Sequence, residues 1–139
     1  MSKYVIMFEK GGIFEIAFDP AAPKTAAAFQ EFMDNCTEPY QALCLQGRFS
    51  GEEMYFPAPL PNGASVGKEN NVRPVQGSIA FNPNPEWSAV CIYWGGDIAD
   101  KQHYHNLFAS IIGDMDALHA VGTRIWQKGG ELATLKKID

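Results

Sequence analysis

The sequence contains only three cysteines, Cys36, Cys44 and Cys91, and no two of them have C-x-x-C spacing. An odd count without that spacing argues against a disulfide framework and against a zinc knuckle. Each cysteine stands among apolar neighbours, so we predict that all three are small buried side chains in a reducing compartment. The N-terminus lacks a basic stretch followed by an apolar one, and we therefore expect a cytoplasmic location.

Positive charge is also scarce. The chain has 11 Lys and Arg against 16 Asp and Glu, a net charge of -5, and its longest basic run is Lys136-Lys137. Such a chain has no general attraction to nucleic acids or to anionic membranes. No apolar run approaches the length of a membrane span. We expect no nucleic-acid partner, no membrane and no cofactor.

What the sequence does contain is enough apolar material for one core. It has 139 residues, of which 46% are hydrophobic, together with 13 glycines and 9 prolines. The length fits one domain over 1–139. The many turn formers indicate short strands rather than long helices.

The periodicity of apolar residues predicts the elements. Period-two patterns and β-forming runs predict strands over 3–9, 13–18, 41–49, 52–56, 78–82, 89–94 and 107–112, and a last hairpin of 124–126 with 131–138. One helix begins at Pro23 and carries an apolar stripe that ends at Cys36. A second runs from Asp114 to Gly122. The prediction is a mainly β protein, a closed barrel of about eight strands with two helices covering its ends.

Two segments resemble the cyclophilins. Residues 12–32 are similar to the opening of that family, where a strand leads into a helix that begins Pro-Lys-Thr, as at Pro23 to Thr25, and carries a phenylalanine such as Phe29. Residues 105–122 resemble a later stretch, in which a histidine precedes a strand and a Gly-Met-Asp turn opens the second helix. The resemblance implies a cyclophilin-like barrel.

Three further motifs resemble a group of small bacterial cyclophilin-like proteins of unknown function. They are the Gly-Glu-Glu-x-Tyr-Phe pattern at 51–56, the Gly-x-Ile-Ala-Phe-x-Pro pattern at 77–83 and the Ile-Tyr-Trp-Gly pattern at 92–95. This group resembles the chain more closely than true cyclophilins do.

Cyclophilins are prolyl isomerases, and the residues at the matching positions of this chain indicate whether that activity is retained. The reaction rotates an amide past a barrier of about 20 kcal/mol and needs an apolar pocket and a cationic donor. The resemblance aligns Arg48 with the family's arginine, Met54 with its methionine and His105 with its pocket histidine. Glu53 replaces a pocket phenylalanine and Phe56 replaces a glutamine, so efficient catalysis is not expected. If the protein is an isomerase, Arg48 is its catalytic residue.

The predicted binding face combines these positions with nearby aromatic residues. The candidates are Arg48, Glu53, Met54, Tyr55, Phe56, Phe81, Tyr93, Trp94 and His105. Arg48 with Glu52 and Glu53 has two interpretations, a rim site for a small polar ligand or a salt-bridged strand edge, and the second is the commoner arrangement. Most of the aromatics that could line a groove, namely Phe81, Trp87, Tyr93, Trp94 and Tyr104, are expected to be core or rim packing. Trp87 and Tyr104 lie in predicted loops and are the better groove candidates.

The remaining patterns give weaker evidence for a functional site. His103 and His105 could bind a metal only if a third ligand such as Asp97, Asp100 or Glu53 converged on them, so we predict a polar loop and no metal site. The G-x-S-x-G pattern at 63–67 follows no apolar strand, which makes it a flexible loop rather than a nucleophile elbow. His119 on the second helix is expected to be a surface or packing residue.

Three functional hypotheses remain open. The preferred one is a module that binds a small molecule or a peptide, without established catalysis. The second is a weak peptidyl-prolyl isomerase that acts on proline-containing peptides through Arg48. The third is a subunit or regulator of a larger enzyme. The conformations of loops 57–76 and 95–105, and the oligomeric state, do not follow from the sequence.

Overall fold

The computed structural model describes residues 3–47, 51–60, 66–82, 88–98 and 106–138. Within these ranges the chain forms eight strands and two helices. In chain order they are β1 (Lys3–Phe8), β2 (Ile13–Phe18), α1 (Pro23–Asn35), β3 (Tyr40–Gln46), β4 (Gly51–Pro57), β5 (Ser78–Asn82), β6 (Ala89–Ile98), β7 (Asn106–Ile112), α2 (Met115–Lys128) and β8 (Glu131–Ile138).

The strands close into one antiparallel barrel in the order β1-β2-β7-β5-β6-β4-β3-β8. Strand β8 completes the ring because it pairs with β1 on one side and β3 on the other. Closure leaves none of these strands with an unpaired edge, which is how a sheet of many short strands avoids edge-to-edge association. The predicted fold class, a mainly β closed barrel with two helices, is confirmed.

Side chains alternate between the interior and the outer surface of the barrel. In β1, for example, Tyr4, Ile6 and Phe8 are buried while the residues between them are partly exposed. The inward residues of all eight strands join the apolar residues of both helices in one core. Aromatic rings dominate the part of that core beneath α1, where Phe29 contacts Tyr4, Phe18 and Phe108.

Helix α1 begins at a proline, as predicted, and an acidic side chain from a distant loop caps its N-terminus. The Glu69 carboxylate accepts hydrogen bonds from the backbone N–H groups of Lys24 and Thr25 at 2.8 Å and from the Thr25 hydroxyl at 2.6 Å. Burial would raise the pKa of Glu69, but these hydrogen bonds and the Lys24 charge lower it below its ordinary value. The cap fastens this segment of the loop before β5 to the helix.

Helix α2 is longer than the sequence predicts. The predicted stop at Gly122 and the predicted strand over 124–126 are wrong, because α2 continues through both. Gly122 has a packing role instead, since a Cβ at that position would overlap the Trp94 indole. The helix ends at Gly129, whose φ of 92° lies in the region that favours glycine. Its N-terminus is capped by Asp114, as predicted.

A buried ion pair holds α2 against the barrel. The Arg124 guanidinium donates to both carboxylate oxygens of Glu131, at 2.7 and 2.8 Å, and to the Gly11 carbonyl at 2.9 Å. The Glu131 side chain is fully buried and also accepts the Lys10 backbone N–H. Burial would raise the pKa of Glu131, but the Arg124 and Lys10 hydrogen bonds and the Arg124 charge lower it.

Neither described helix is long and apolar enough to cross a membrane.

Replacing Glu131 with glutamine should lower the free energy of unfolding at neutral pH by roughly 2–3 kcal/mol, because charge-assisted hydrogen bonds in a buried site are lost. A carboxyl group whose pKa is depressed on folding stabilises the protein above its unfolded pKa, and this contribution disappears as the pH falls through the folded pKa. Urea unfolding of wild type and Glu131→Gln from neutral to acidic pH measures both effects.

The difference in unfolding free energy between wild type and Glu131→Gln should therefore shrink on acidification. The control is Glu15→Gln, on the outer face of β2, which should change the free energy of unfolding by less than about 0.5 kcal/mol. A difference that stayed constant through the acid range would contradict this assignment.

Candidate functional site

The predicted site residues of β4 lie on two different faces of the barrel. Met54 and Phe56 point into the core, where both are almost fully buried. Glu53 and Tyr55, which alternate with them, lie on the outer face. Across the β4–β6 ladder Glu53 is opposite Tyr93, and Tyr55 is opposite Cys91. Strand β4 thus contributes side chains both to the core and to the outer face of the barrel.

The other aromatic candidates divide in the same way. Phe81 and Trp94 belong to the main core, so Phe81 does not share a face with Glu53 and Tyr55. Tyr93 belongs to a second buried group on the outer face, which we call the outer-face cluster. Its members are Ala80, Ala89, Cys91 and Tyr93, with Tyr55 and Ile98 packed against them. Whether any of these residues binds a ligand stays a prediction.

The two cysteines of the described strands, Cys44 and Cys91, are poor nucleophiles. Burial, and then the nearby Glu53 carboxylate, raise the pKa of the Cys91 thiol. Burial and the Glu131 carboxylate do the same for Cys44. A thiol that stays protonated is a poor nucleophile. The prediction of free, buried cysteines is confirmed for Cys44 and Cys91, whereas Cys36 is only partly buried.

Several predicted positions fall outside the described residues. They are Arg48, the 63–65 part of the G-x-S-x-G pattern, Trp87, Asp100, His103, Tyr104 and His105. Within the described ranges, no three His, Cys, Asp or Glu side chains come together as a metal site would require.

A cleft of about 580 Å³ opens where the β3 and β4 ends, β6 and helix α2 meet. We call it the Glu52 cleft. Its lining residues are Gln46, Gly47, Gly51, Glu52, Trp94, Asp97 and Trp126. Of the described members of the predicted binding face, Trp94 lines it.

The Glu52 carboxylate is fixed by three neighbours. Its Oε1 accepts the backbone N–H of Asp97 at 2.9 Å, and its Oε2 lies 3.1 Å from His119 Nε2. Its third neighbour is Gly95, where a Cβ would overlap the carboxylate. The side chain remains 23% exposed. It is therefore a carboxylate with a set position that a ligand can still reach.

His119 connects that carboxylate to the helix. Its ring meets the Trp94 ring edge to face, with centroids 5.1 Å apart, and its Nδ1 lies 3.3 Å from the Thr123 hydroxyl. With Glu52 ionised, Nε2 donates to its carboxylate, and in the neutral imidazole Nδ1 then accepts from the Thr123 hydroxyl. These contacts hold the ring against the wall of the cleft.

Two indoles give the cleft its aromatic surface, and they differ in accessibility. Trp94 is buried, and its Nε1 donates to Gln46 Oε1 at 3.2 Å. Trp126 is 62% exposed. A large aromatic side chain left this open beside a polar cleft provides contact area that a ligand can cover.

Sequence patterns point to some of these residues but do not bring them together. They group Glu52 with Arg48 and Glu53, and they offer Asp97 as a possible third metal ligand. His119, Thr123 and Trp126 stand at i, i+4 and i+7, which places them on one helix face. That signal was lost because the helix was predicted to end between them, at Gly122.

Placing a methyl group under Glu52 tests the geometry of its carboxylate. In Gly95→Ala the new Cβ should push the flexible carboxylate off Asp97 and His119 at little cost in stability, because Gly95 has an ordinary backbone conformation. The His119 ring nitrogen resonances should shift in ¹⁵N spectra. Gly96→Ala is the matched control, since no heavy atom of the described residues, its two chain neighbours aside, lies within 4 Å of its added Cβ. Equal His119 spectra for the two variants would refute the arrangement.

Comparison with solved structures supports the architecture. The fold is similar to that in the structure of McbB in complex with tryptophan, with a TM-score of 0.72 and 15% sequence identity. The match covers 96% of this chain and 44% of the McbB chain, so this chain spans less than half of that neighbour's length. No protein-family model and no curated protein matches the sequence. At 15% identity the likeness shows a shared barrel fold and nothing finer.

Proposed function

We propose that the protein is a binding module that holds a small aromatic molecule in the Glu52 cleft. The observation that carries the proposal is the fixed, partly exposed Glu52 carboxylate in the same cleft as the exposed Trp126 indole. A site that pairs a polar anchor with an apolar contact surface is typical of small-molecule recognition, in which the polar group sets the orientation of the ligand.

The size of the cleft agrees with this function. Its volume of about 580 Å³ lies within the range of roughly 300–1,000 Å³ that ligand pockets usually have. The residues around it are already positioned by the fold, since the Asp97 backbone and His119 hold Glu52 and Gln46 holds the Trp94 indole. A preformed site loses little conformational entropy when it binds a ligand.

The structural neighbour supports the same class of function. McbB, whose barrel is similar, has been solved with tryptophan, an aromatic small molecule. A shared fold does not transfer a ligand. McbB shows that a chain with a similar barrel can bind a small molecule. For this protein the proposal is supported by the residues of the Glu52 cleft.

The more specific expectations remain proposals. A cyclophilin-like relationship, membership of the bacterial group and a cytoplasmic location rest on the sequence resemblance and its motifs. Isomerase activity would depend on Arg48, and Met54, the neighbouring position of that motif, is buried in the core. The isomerase and enzyme-subunit hypotheses stay predictions.

A panel of benzylamine, benzyl alcohol, benzoate and L-tryptophan tests the proposed function. We expect at least one compound to bind wild type in calorimetric titration, and Trp126→Ala to weaken it roughly fivefold, because about 1 kcal/mol of aromatic contact is lost. Ile13→Ala is the control, since Ile13 is 69% exposed and lies on β2, across the barrel from the β4 side of the cleft.

Two outcomes would overturn the proposed site. One is that no compound binds wild type. The other is that compounds bind wild type and Trp126→Ala equally well, which would move binding away from the cleft. Thermal unfolding of both variants checks that they are folded.

A further inference from the structure

From the charges and free acceptor positions of the Glu52 cleft, we infer that its ligand is an aromatic molecule that carries an ammonium group. The inference rests on the proposed function and specifies its ligand class. Aromatic anions should be excluded from the cleft, and uncharged aromatic molecules should bind more weakly than their amine counterparts.

The first argument is the hydrogen-bonding capacity of Glu52. A carboxylate offers about four acceptor positions, two on each oxygen. Asp97 N–H occupies one on Oε1 and His119 occupies one on Oε2. Among the residues that the structure describes, no other donor bonds to either oxygen, so one position on each is left for a ligand, and the side chain is 23% exposed. An ammonium group, with three donors and a positive charge, suits these positions better than a neutral hydroxyl does.

The second argument is the sign of the charge. Among the described residues that line the cleft, the ionisable ones are Glu52 and Asp97, and both are carboxylates, while His119 contacts Glu52 from the helix side. Asp97 is exposed, and its backbone N–H already supports Glu52. The chain as a whole has a net charge of -5. A ligand carboxylate would meet repulsion from both side chains, whereas an ammonium group would be attracted by both.

The third argument is the aromatic wall. Trp126 is 62% exposed and lines the cleft, and tryptophan is the side chain whose π-face attracts cations best. An aromatic amine can interact with the Trp126 indole in two ways, through contact between the rings and through attraction between its ammonium group and the indole. His119 already meets the Trp94 face, so aromatic edge-to-face packing is established next to the carboxylate.

Three compounds of nearly equal size separate these contributions. They are 2-phenylethylamine, which is cationic, 2-phenylethanol, which is neutral, and 3-phenylpropionate, which is anionic. Since none contains an indole, the tryptophan fluorescence of the protein can be followed beside calorimetry. For wild type we expect the amine to bind roughly three- to thirtyfold more tightly than the alcohol, and the acid not to bind.

The charge-neutral variant Glu52→Gln keeps the shape of the side chain and removes its charge. It should reduce amine affinity about tenfold and leave alcohol affinity unchanged, so the preference should fall to nearly one. Glu15→Gln makes the same change in net charge on β2, across the barrel from β4, and should keep the wild-type preference. This control separates a local carboxylate effect from a general effect of protein charge.

The results distinguish failure of the ammonium inference from failure of the proposed function, the binding of a small aromatic molecule. Binding of the alcohol or the acid with equal or higher affinity than the amine, weakened by Trp126→Ala, would overturn the ammonium inference and leave the cleft as a binding site. Amine preference that persists in Glu52→Gln would also overturn it. Failure of all three compounds to bind would count against both this inference and the proposed function.

Discussion

The cleft depends on how closely helix α2 approaches strand β6. At the point of contact Gly122 has no side chain, and the Trp94 indole occupies the space where a Cβ would be. This approach places His119 against the Trp94 ring, within hydrogen-bonding distance of Glu52. One turn beyond Gly122, Trp126 stands exposed at the cleft. A larger residue at 122 would move the helix away and separate these groups.

The barrel supplies the opposite wall, and its register decides which acidic side chain faces the cleft. Neighbouring residues of a regular strand point to opposite faces, and Glu52 and Glu53 have different surroundings. Glu53 lies on the outer face beside Tyr93, while Glu52 reaches over Gly95 towards α2. The register between Gly51 and Glu53 is irregular, as at a β-bulge, and such irregularities redirect side chains near functional sites.

Sequence patterns predicted most of the fold because the core obeys simple periods. Alternation in β1 and β2 and the stripe on α1 were visible residue by residue, and the barrel followed from many short strands that needed partners. The end of α2 was predicted wrongly because a glycine that packs against an indole looks the same in sequence as a glycine that ends a helix. Only the three-dimensional contact with Trp94 distinguishes these two roles.

The site was harder to predict than the fold because its residues are far apart in sequence. Glu52, Asp97 and His119 meet only after β4, β6 and α2 have packed, and no local pattern joins them. The cyclophilin resemblance puts Met54 in the predicted binding face and the bacterial-group motif puts Phe81 there, but the structure places both in the core. Motif matching finds residues that share a strand, but it does not find which face of that strand a cleft uses.

A map of the binding site in solution tests most directly where the ligand binds. Titration of the ¹⁵N-labelled protein with 2-phenylethylamine can be followed through backbone amide and indole N–H resonances. A ligand held in the Glu52 cleft should cause the largest changes at the indole N–H groups of Trp94 and Trp126 and at the Asp97 backbone N–H. Changes centred instead on Tyr55, Cys91 and Tyr93 would place the ligand at the outer-face cluster and contradict the claim that the Glu52 cleft is the binding site.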